Sequence, residues 1–138
     1  MPIIRRAEPG DLPEVSAIQS ACPQAAQWSV EDYLAYELWV AICENRVAGF
    51  LSARSLAPGE CEILNLAVSP LFRRRGIARE LVQHLVSLSP GAIFLEVRVS
   101  NLAACQFYNS LGFQELSRRQ KYYHDPPETA IVMKFHSC

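Results

Sequence analysis

The segment Leu66-Ala67-Val68-Ser69-Pro70-Leu71-Phe72-Arg73-Arg74-Arg75-Gly76-Ile77-Ala78-Arg79 holds the residue types and spacing that point most directly to chemistry. An apolar, β-rich run stops at Ser69-Pro70, a basic stretch turns at a glycine, and an amphipathic helical pattern starts at Ile77. A helix start leaves its first backbone N–H groups unpaired and carries the positive end of the helix dipole, so this junction suits a pyrophosphate. It is neither a Walker loop nor a dinucleotide fingerprint, because G-x-x-x-x-G-K-[ST] and G-x-G-x-x-G are both absent. Arg73, Arg74, Arg75 and Arg79 add positive charge around Gly76, although a solvated basic loop accounts for such a cluster equally well.

Glu96 stands in an apolar run, Ile93-Phe94-Leu95-Glu96-Val97. An unpaired carboxylate there is costly, and its pKa is expected to rise toward neutrality, as a general base near pH 7 requires. The competing reading, which the residues alone favour, is an ion pair with Arg98 or with another cation on the same sheet face. Tyr108 falls on the buried stripe of a predicted helix and reads plainly as a core aromatic. His84, His124 and His136 share no spacing that suggests a triad or a metal site. Five cysteines, with no C-x-x-C pair, argue against a disulfide scaffold and against structural zinc. Cys43, Cys61 and Cys105 are expected to act as small core hydrophobes.

Positioning these groups requires a sheet and helices, in the order β-α-α-β-β-β-α-β-α-β-β. Ile3 to Arg6 open a short strand. Asp11, Pro13 and Glu14 start a helix, with Asp11 as its cap and Leu12, Val15 and Ile18 as its buried stripe. A second helix is expected from Ser29 to about residue 38. Trp39 to Cys43 and Val47 to Ala53 form a hairpin around Glu44-Asn45-Arg46, and Glu62 to Val68 adds a third strand. From Gly76 the apolar positions Ile77, Ala78, Leu81, Val82, Leu85, Val86 and Leu88 mark the clearest helix. Ala92 to Val99 is a strand, Asn101 caps a helix that stops at Gly112, and Gln114 to Ser117 and Ala130 to Phe135 are the last strands. Arg118 to Thr129 reads as the loop joining them.

The chain has 138 residues, half of them apolar, enough for one core and not two. A single domain over residues 1–138 is the expectation. Net charge is −1, which provides no general attraction to nucleic acid. Residues 1–69 hold nine carboxylates against four arginines, and residues 70–138 hold nine Lys or Arg against five carboxylates, so an anionic ligand is drawn to the second half. No apolar run approaches the roughly 20 residues of a membrane span, and the start, MPIIRRAEPGDL, has charges where a secretory signal needs an apolar stretch. A cytoplasmic protein with no membrane partner is expected.

Arg73-x-x-Gly76-x-Ala78 matches the Q/R-x-x-G-x-G/A signature of the GNAT superfamily of N-acetyltransferases, at the strand-to-helix junction where that family carries it. Leu64 to Val68, Leu95 to Asn101, Ala104 to Phe113, Trp28-Ser29 and Tyr122-Tyr123 resemble its RimI-type branch, the ribosomal-protein-alanine acetyltransferases. The resemblance implies a GNAT fold, a mixed and mostly antiparallel sheet of about six to seven strands with four helices. It implies acetyl-CoA as cosubstrate and no metal. The amides of Arg74, Arg75, Gly76, Ile77, Ala78 and Arg79 would hold the pyrophosphate, and Leu66, Ala67 and Val68 would pair with the pantetheine arm. Asn101 resembles the asparagine that touches that arm, although a plain helix cap explains it as well. The resemblance makes Glu96 the general base and Tyr108 the general acid, and places Tyr122 and Tyr123 beside the acceptor.

The implied acceptor is a protein or peptide N-terminus, specifically an N-terminal alanine of a ribosomal protein. Departures fall on the acceptor side: Trp28 lacks the usual preceding proline, and Pro126-Pro127-Glu128-Thr129 replaces an acidic pair. A small-molecule amine acetyltransferase therefore stays open, as does a non-catalytic acyl-CoA-binding module. An RNA binder is disfavoured by the balanced charge and by the absence of an RNP-like aromatic pattern.

Overall fold

The computed structural model describes the backbone of residues 2–124 and 127–137, and all their side chains except those of residues 30, 121–124, 127 and 137. In chain order the elements are β1 (Ile3–Arg6), a 3-10 turn (Pro9–Asp11), α1 (Leu12–Ala21), α2 (Val30–Tyr33), β2 (Glu37–Cys43), β3 (Arg46–Ser55), β4 (Glu60–Val68), a second 3-10 turn (Pro70–Phe72), α3 (Ile77–Leu88), β5 (Gly91–Arg98), α4 (Leu102–Ser110), β6 (Gln114–His124) and β7 (Pro127–Ser137). The strands follow the order β1-β2-β3-β4-β5-β7-β6 in one seven-stranded sheet. β4 and β5 pair in parallel, whereas β1–β2, β2–β3, β5–β7 and β6–β7 are antiparallel.

Two compact units are distinguished, Met1–Arg54 with Ile63–Leu88, and Ser55–Glu62 with Ser89–Cys138. In the first, Val15 and Ile18 of α1 pack with Tyr33, Val40, Phe50 and Ala67. Tyr33 meets the Phe50 ring edge-on, 5.6 Å between centroids. α3 buries Ile77, Leu81, Val82 and Leu85, the spacing of one helical face, each worth about 1.5–3 kcal/mol of apolar burial. In the second unit β5 buries Ile93, Leu95 and Val97 on one face and turns Phe94, Glu96 and Arg98 to the other, as its alternation predicts. The Glu60–Glu62 end of β4 pairs with Ala92, Ile93 and Phe94, and that ladder ends at Glu62 and Phe94.

Several local expectations are corrected. α2 is a single turn, because Glu37 and Leu38 already pair with Ala53 and Ser52 in the β2–β3 ladder and one turn does not outcompete a ladder. The Arg118–Thr129 loop is largely strand: Arg118 opposes Ile131, Arg119 opposes Ala130 and Tyr123 opposes Glu128, with a register shift between. β6 is an edge strand, where a polar sequence is tolerated. Asp11 occupies the N-cap position of α1, but its side chain makes no capping bond to the helix. Its carboxylate accepts from Glu8 N and from Arg5 Nη1, each at 2.7 Å. The hairpin turn is two residues, Glu44 and Asn45, both left-handed at φ 54 and 60, so Arg46 belongs to β3. Cys61 is buried as expected, but Cys43 and Cys105 are only half-buried, whereas Cys22 is a core residue. Leu88, at the end of α3, stands exposed.

Candidate active site

β4 delivers Leu66, Ala67 and Val68 in alternation, with Ala67 buried and the other two half-buried. All three lie beyond the end of the ladder with β5. Ser69 N donates to Ala48 O at 2.8 Å, and Ser69 Oγ accepts from Leu71 N at 3.3 Å, which turns the chain out of the strand. Gly49 on β3 sits close against this junction. A Cβ there would stand 3.0 Å from Ala67 O and 3.2 Å from Ile77 Cγ2, so any larger residue would have to push the end of β4 or the start of α3 aside by a few tenths of an ångström.

Past the turn, Arg73 is extended, and Arg74 and Gly76 are left-handed at φ 65 and 74. The first bond of α3 runs from Glu80 N to Gly76 O at 3.0 Å, so the amides of Ile77, Ala78 and Arg79 have no acceptor within the helix. A Cβ on Gly76 would meet nothing within 4 Å, so the space before the glycine is open. Free amides, an open approach and the positive helix end fit a pyrophosphate.

The arginine side chains divide. Arg75 folds back, its Nη1 donating to Glu44 Oε2 at 2.7 Å and its Cζ lying 5.1 Å from the Phe72 ring centroid. Arg73 Nη2 lies 3.5 Å from Cys22 Sγ, and the Cys22 thiol donates to Val68 O at 3.4 Å. Arg74 and Arg79 are exposed.

A buried polar network, not anticipated from the sequence, sits beside Leu66. Asn65, 6 % exposed, accepts from Ala26 N at 3.2 Å and Leu66 N at 3.1 Å, and donates to Ala26 O and the Tyr33 hydroxyl, each at 2.9 Å. Tyr33 donates to Gln19 Oε1, and Gln19 Nε2 donates to Trp28 O at 2.7 Å. Burial pushes the Tyr33 phenol up to about 12, against the opposing effect of the Asn65 hydrogen bond. The available signal was phase: Cys61, Ile63, Asn65 and Ala67 share the buried face of β4, and a polar residue in that register needs partners.

In the second unit, Glu96 is not unpaired. Its Oε1 accepts from Arg119 Nη1 at 2.7 Å, and its side chain is 19 % exposed. The partner comes from β6, two strands away in the sheet order, while Arg98 pairs with Glu128 at 3.3 Å. Glu128 also accepts from Ser100 N at 2.7 Å, and hydrogen bonding to Ser100, reinforced by Arg98, holds its carboxyl below the usual range. Tyr108, 7 % exposed, meets the Phe107 and Phe113 rings edge-on at 5.1 and 5.3 Å. Burial raises its phenol above the ordinary value, so the hydroxyl keeps its proton well past neutrality. Asn101 is the N-cap of α4, accepting from Ala104 N at 3.2 Å.

The backbones of Tyr122 and Tyr123 belong to β6, and their side chains lie outside the described residues. Among the described residues no group of three His, Cys, Asp or Glu is placed to hold a metal ion, and no helix is long and apolar enough to cross a membrane. A cleft of about 420 Å³ lined by Gly112, Glu115, Lys134 and His136, among others, includes none of the candidate residues.

Residues 7–113 match the model of the acetyltransferase (GNAT) family. The [ribosomal protein bS18]-alanine N-acetyltransferase of Escherichia coli (strain K12) is 33 % identical over 147 residues, covering 96 % of each chain. The crystal structure of the ribosomal-protein-S18-alanine N-acetyltransferase from Escherichia coli has a TM-score of 0.86 at 31 % identity, covering 99 % of this chain and 94 % of that one. Arabidopsis thaliana NAA60 in complex with acetyl-CoA shares the fold, with a TM-score of 0.88 at 18 % identity over 99 % of each chain.

Proposed function

Because the chain belongs to the acetyltransferase (GNAT) family and is an N-acetyltransferase of the RimI type, we propose that its acceptor is the α-amino group of a protein N-terminus, specifically an N-terminal alanine of a ribosomal protein. The observation that carries this most is the likeness, along 96 % of both chains, to the Escherichia coli bS18-alanine enzyme. Residues 1–138 act in this reading as one domain.

Acetyl-CoA, when bound, supplies the thioester whose acetyl group is transferred. The amides from Arg74 to Arg79 hold its pyrophosphate, and the Leu66-Ala67-Val68 stretch pairs with the pantetheine arm through backbone groups other than the Leu66 N–H, which Asn65 takes, much as a strand edge takes a peptide. Asn101 touches that arm as well as capping α4. Glu96, directly or through water, takes a proton from the acceptor ammonium so that the free amine can attack the thioester carbonyl. A backbone N–H near Val68 meets the charge developing on the carbonyl oxygen. Tyr108 then gives its proton to the departing sulfur and regains one as the attacking nitrogen sheds its second proton on becoming the amide, a role suited to a phenol kept neutral by burial. The acceptor chain enters beside the two N-terminal helices and Tyr122-Tyr123.

The reading is tested by offering short peptides with free Ala, Ser or Met starts, an N-blocked lysine peptide and a polyamine together, with products identified by mass. Acetylation of the free-start peptides supports it. Turnover confined to the lysine peptide or the polyamine overturns the acceptor assignment.

A further inference from the structure

Residues 22–29, which join α1 to α2, are tied at two points to the stretch of β4 assigned above to the pantetheine arm. The Cys22 thiol bonds Val68 O, and Asn65 grips both the N–H and the C=O of Ala26. The second tie copies a backbone pairing, since one amide side chain offers Ala26 the donor and the acceptor that a neighbouring strand would offer. Gln27 Nε2 closes the connection on itself, its two N–H groups shared among Gln19 O, Cys22 O and Ala25 O at 3.0–3.3 Å. Trp28 follows directly, its carbonyl held by Gln19 and its ring 5.1 Å from that of Tyr33.

Asn65 bonds Ala26 and Tyr33 directly, and through Tyr33 it reaches Gln19, which holds Trp28 O and accepts from Gln27 at its carbonyl. Asn65 uses both its donor and its acceptor atoms, is 6 % exposed, and stands next in chain to Leu66, whose N–H it also caps. Such a fully connected buried node specifies one arrangement, because any displacement of the 22–29 connection leaves polar atoms unpaired.

We infer that Asn65 is a positioning residue for the acceptor: it sets the 22–29 connection, with Trp28, in register with the cofactor strand. This rests on the acceptor entering beside the two N-terminal helices. The Asn65 amide is spent on Ala26, Tyr33 and the Leu66 N–H, and three of its four bonds run to the acceptor-side segments, so its loss is expected to act more on how well the amine is placed than on how tightly the donor is held.

The test compares wild type with Asn65→Ser, Asn65→Asp and Tyr33→Phe, measuring KM for both substrates, kcat, and acetyl-CoA affinity by calorimetry. The kinetics are read on whichever amine the wild type acetylates, so a wrong acceptor class shows in the wild type before any variant is compared. Asn65→Ser is expected to raise the acceptor KM about tenfold while acetyl-CoA affinity stays within about twofold, as for loss of buried hydrogen bonds that chiefly serve one substrate. Asn65→Asp, which keeps the acceptor atom and loses the donor to Ala26 O and Tyr33, is expected to fall between. Tyr33→Phe removes the two hydroxyl bonds, to Asn65 and to Gln19, while leaving the Asn65–Ala26 tie in place, and keeps the question answerable if the Asn65 variants fail to fold; its acceptor KM is expected to rise about threefold. An unchanged acceptor KM in Tyr33→Phe and Asn65→Ser, or an equal loss of acetyl-CoA affinity, overturns the proposal. A wild type that acetylates no amine overturns this proposal and the proposed function together.

Discussion

Arg119 Nη1 donates to Glu96 Oε1 at 2.7 Å, which joins the acid proposed as base to a cation two strands away in the sheet order. The guanidinium is half-exposed, so the pair adds only about 0–1 kcal/mol to stability. Its consequence lies in fixing where the carboxylate points. Glu96→Gln is expected to lower kcat by about 100-fold with acetyl-CoA affinity within about twofold of wild type. Arg119→Ala should lower kcat by about tenfold at nearly unchanged melting temperature, with partial rescue by Arg119→Lys. Wild-type rates for Glu96→Gln at every pH would make Glu96 structural.

Tyr108 supplies a second check. Because burial raises its phenol, its ionisation should cause no fall in activity between pH 7 and 10. Tyr108→Phe should keep the fold, since the ring contacts with Phe107 and Phe113 survive, and should lower kcat by about 100-fold. A full pH–rate profile of both proteins measures this. A variant as fast as wild type in the chemical step, measured by single turnover, would remove the acid role.

Gly76 concerns the cofactor alone. At φ 74 with open space before it, Gly76→Ala combines a strain of about 1–2 kcal/mol with a methyl group in the cradle. Gly76→Glu adds a negative charge. Calorimetry with acetyl-CoA should show weakened binding for the first and none at millimolar cofactor for the second, while thermal unfolding of both stays cooperative. Unaltered binding by Gly76→Glu would place the pyrophosphate elsewhere.

The Asp11–Arg5 pair predicts an acid limit. The Arg5 hydrogen bond, opposed in part by burial, holds the Asp11 carboxyl below its ordinary value. A carboxyl depressed on folding contributes stability that is fully present above its unfolded pKa, about 3.9, and is lost as pH falls through the folded value. Melting temperature should therefore drop below about pH 4 more steeply in wild type than in Asp11→Asn. Parallel curves for the two proteins would exclude the pair as a contributor.

The junction from β4 to α3 was readable because its signals are local: alternation to Val68, a proline stop, a glycine where φ is positive, and a helical stripe from Ile77. β5 was readable for the same reason, since alternating apolar residues run through it. The Arg119 partner of Glu96 was foreseen only as some cation on the same sheet face, since it depends on β6 lying outside β7, a non-local outcome. β6 itself was read as a loop past Ser117 because an edge strand carries no hydrophobic alternation to reveal it. Asn65 was visible as a residue and silent as a node, because its partners Ala26 and Tyr33 lie more than thirty residues away in sequence.

One peptide decides the central claim: an unblocked chain beginning with alanine and carrying a single internal lysine, incubated with the protein and acetyl-CoA at pH 7, with the site of acetylation located by fragment masses. An α-ammonium, with an ordinary pKa near 8, releases its proton to a carboxylate far more readily than a lysine near 10.4. The account predicts acetyl on the alanine α-nitrogen alone. Acetyl on the lysine side chain, with the α-amine left free, would contradict it.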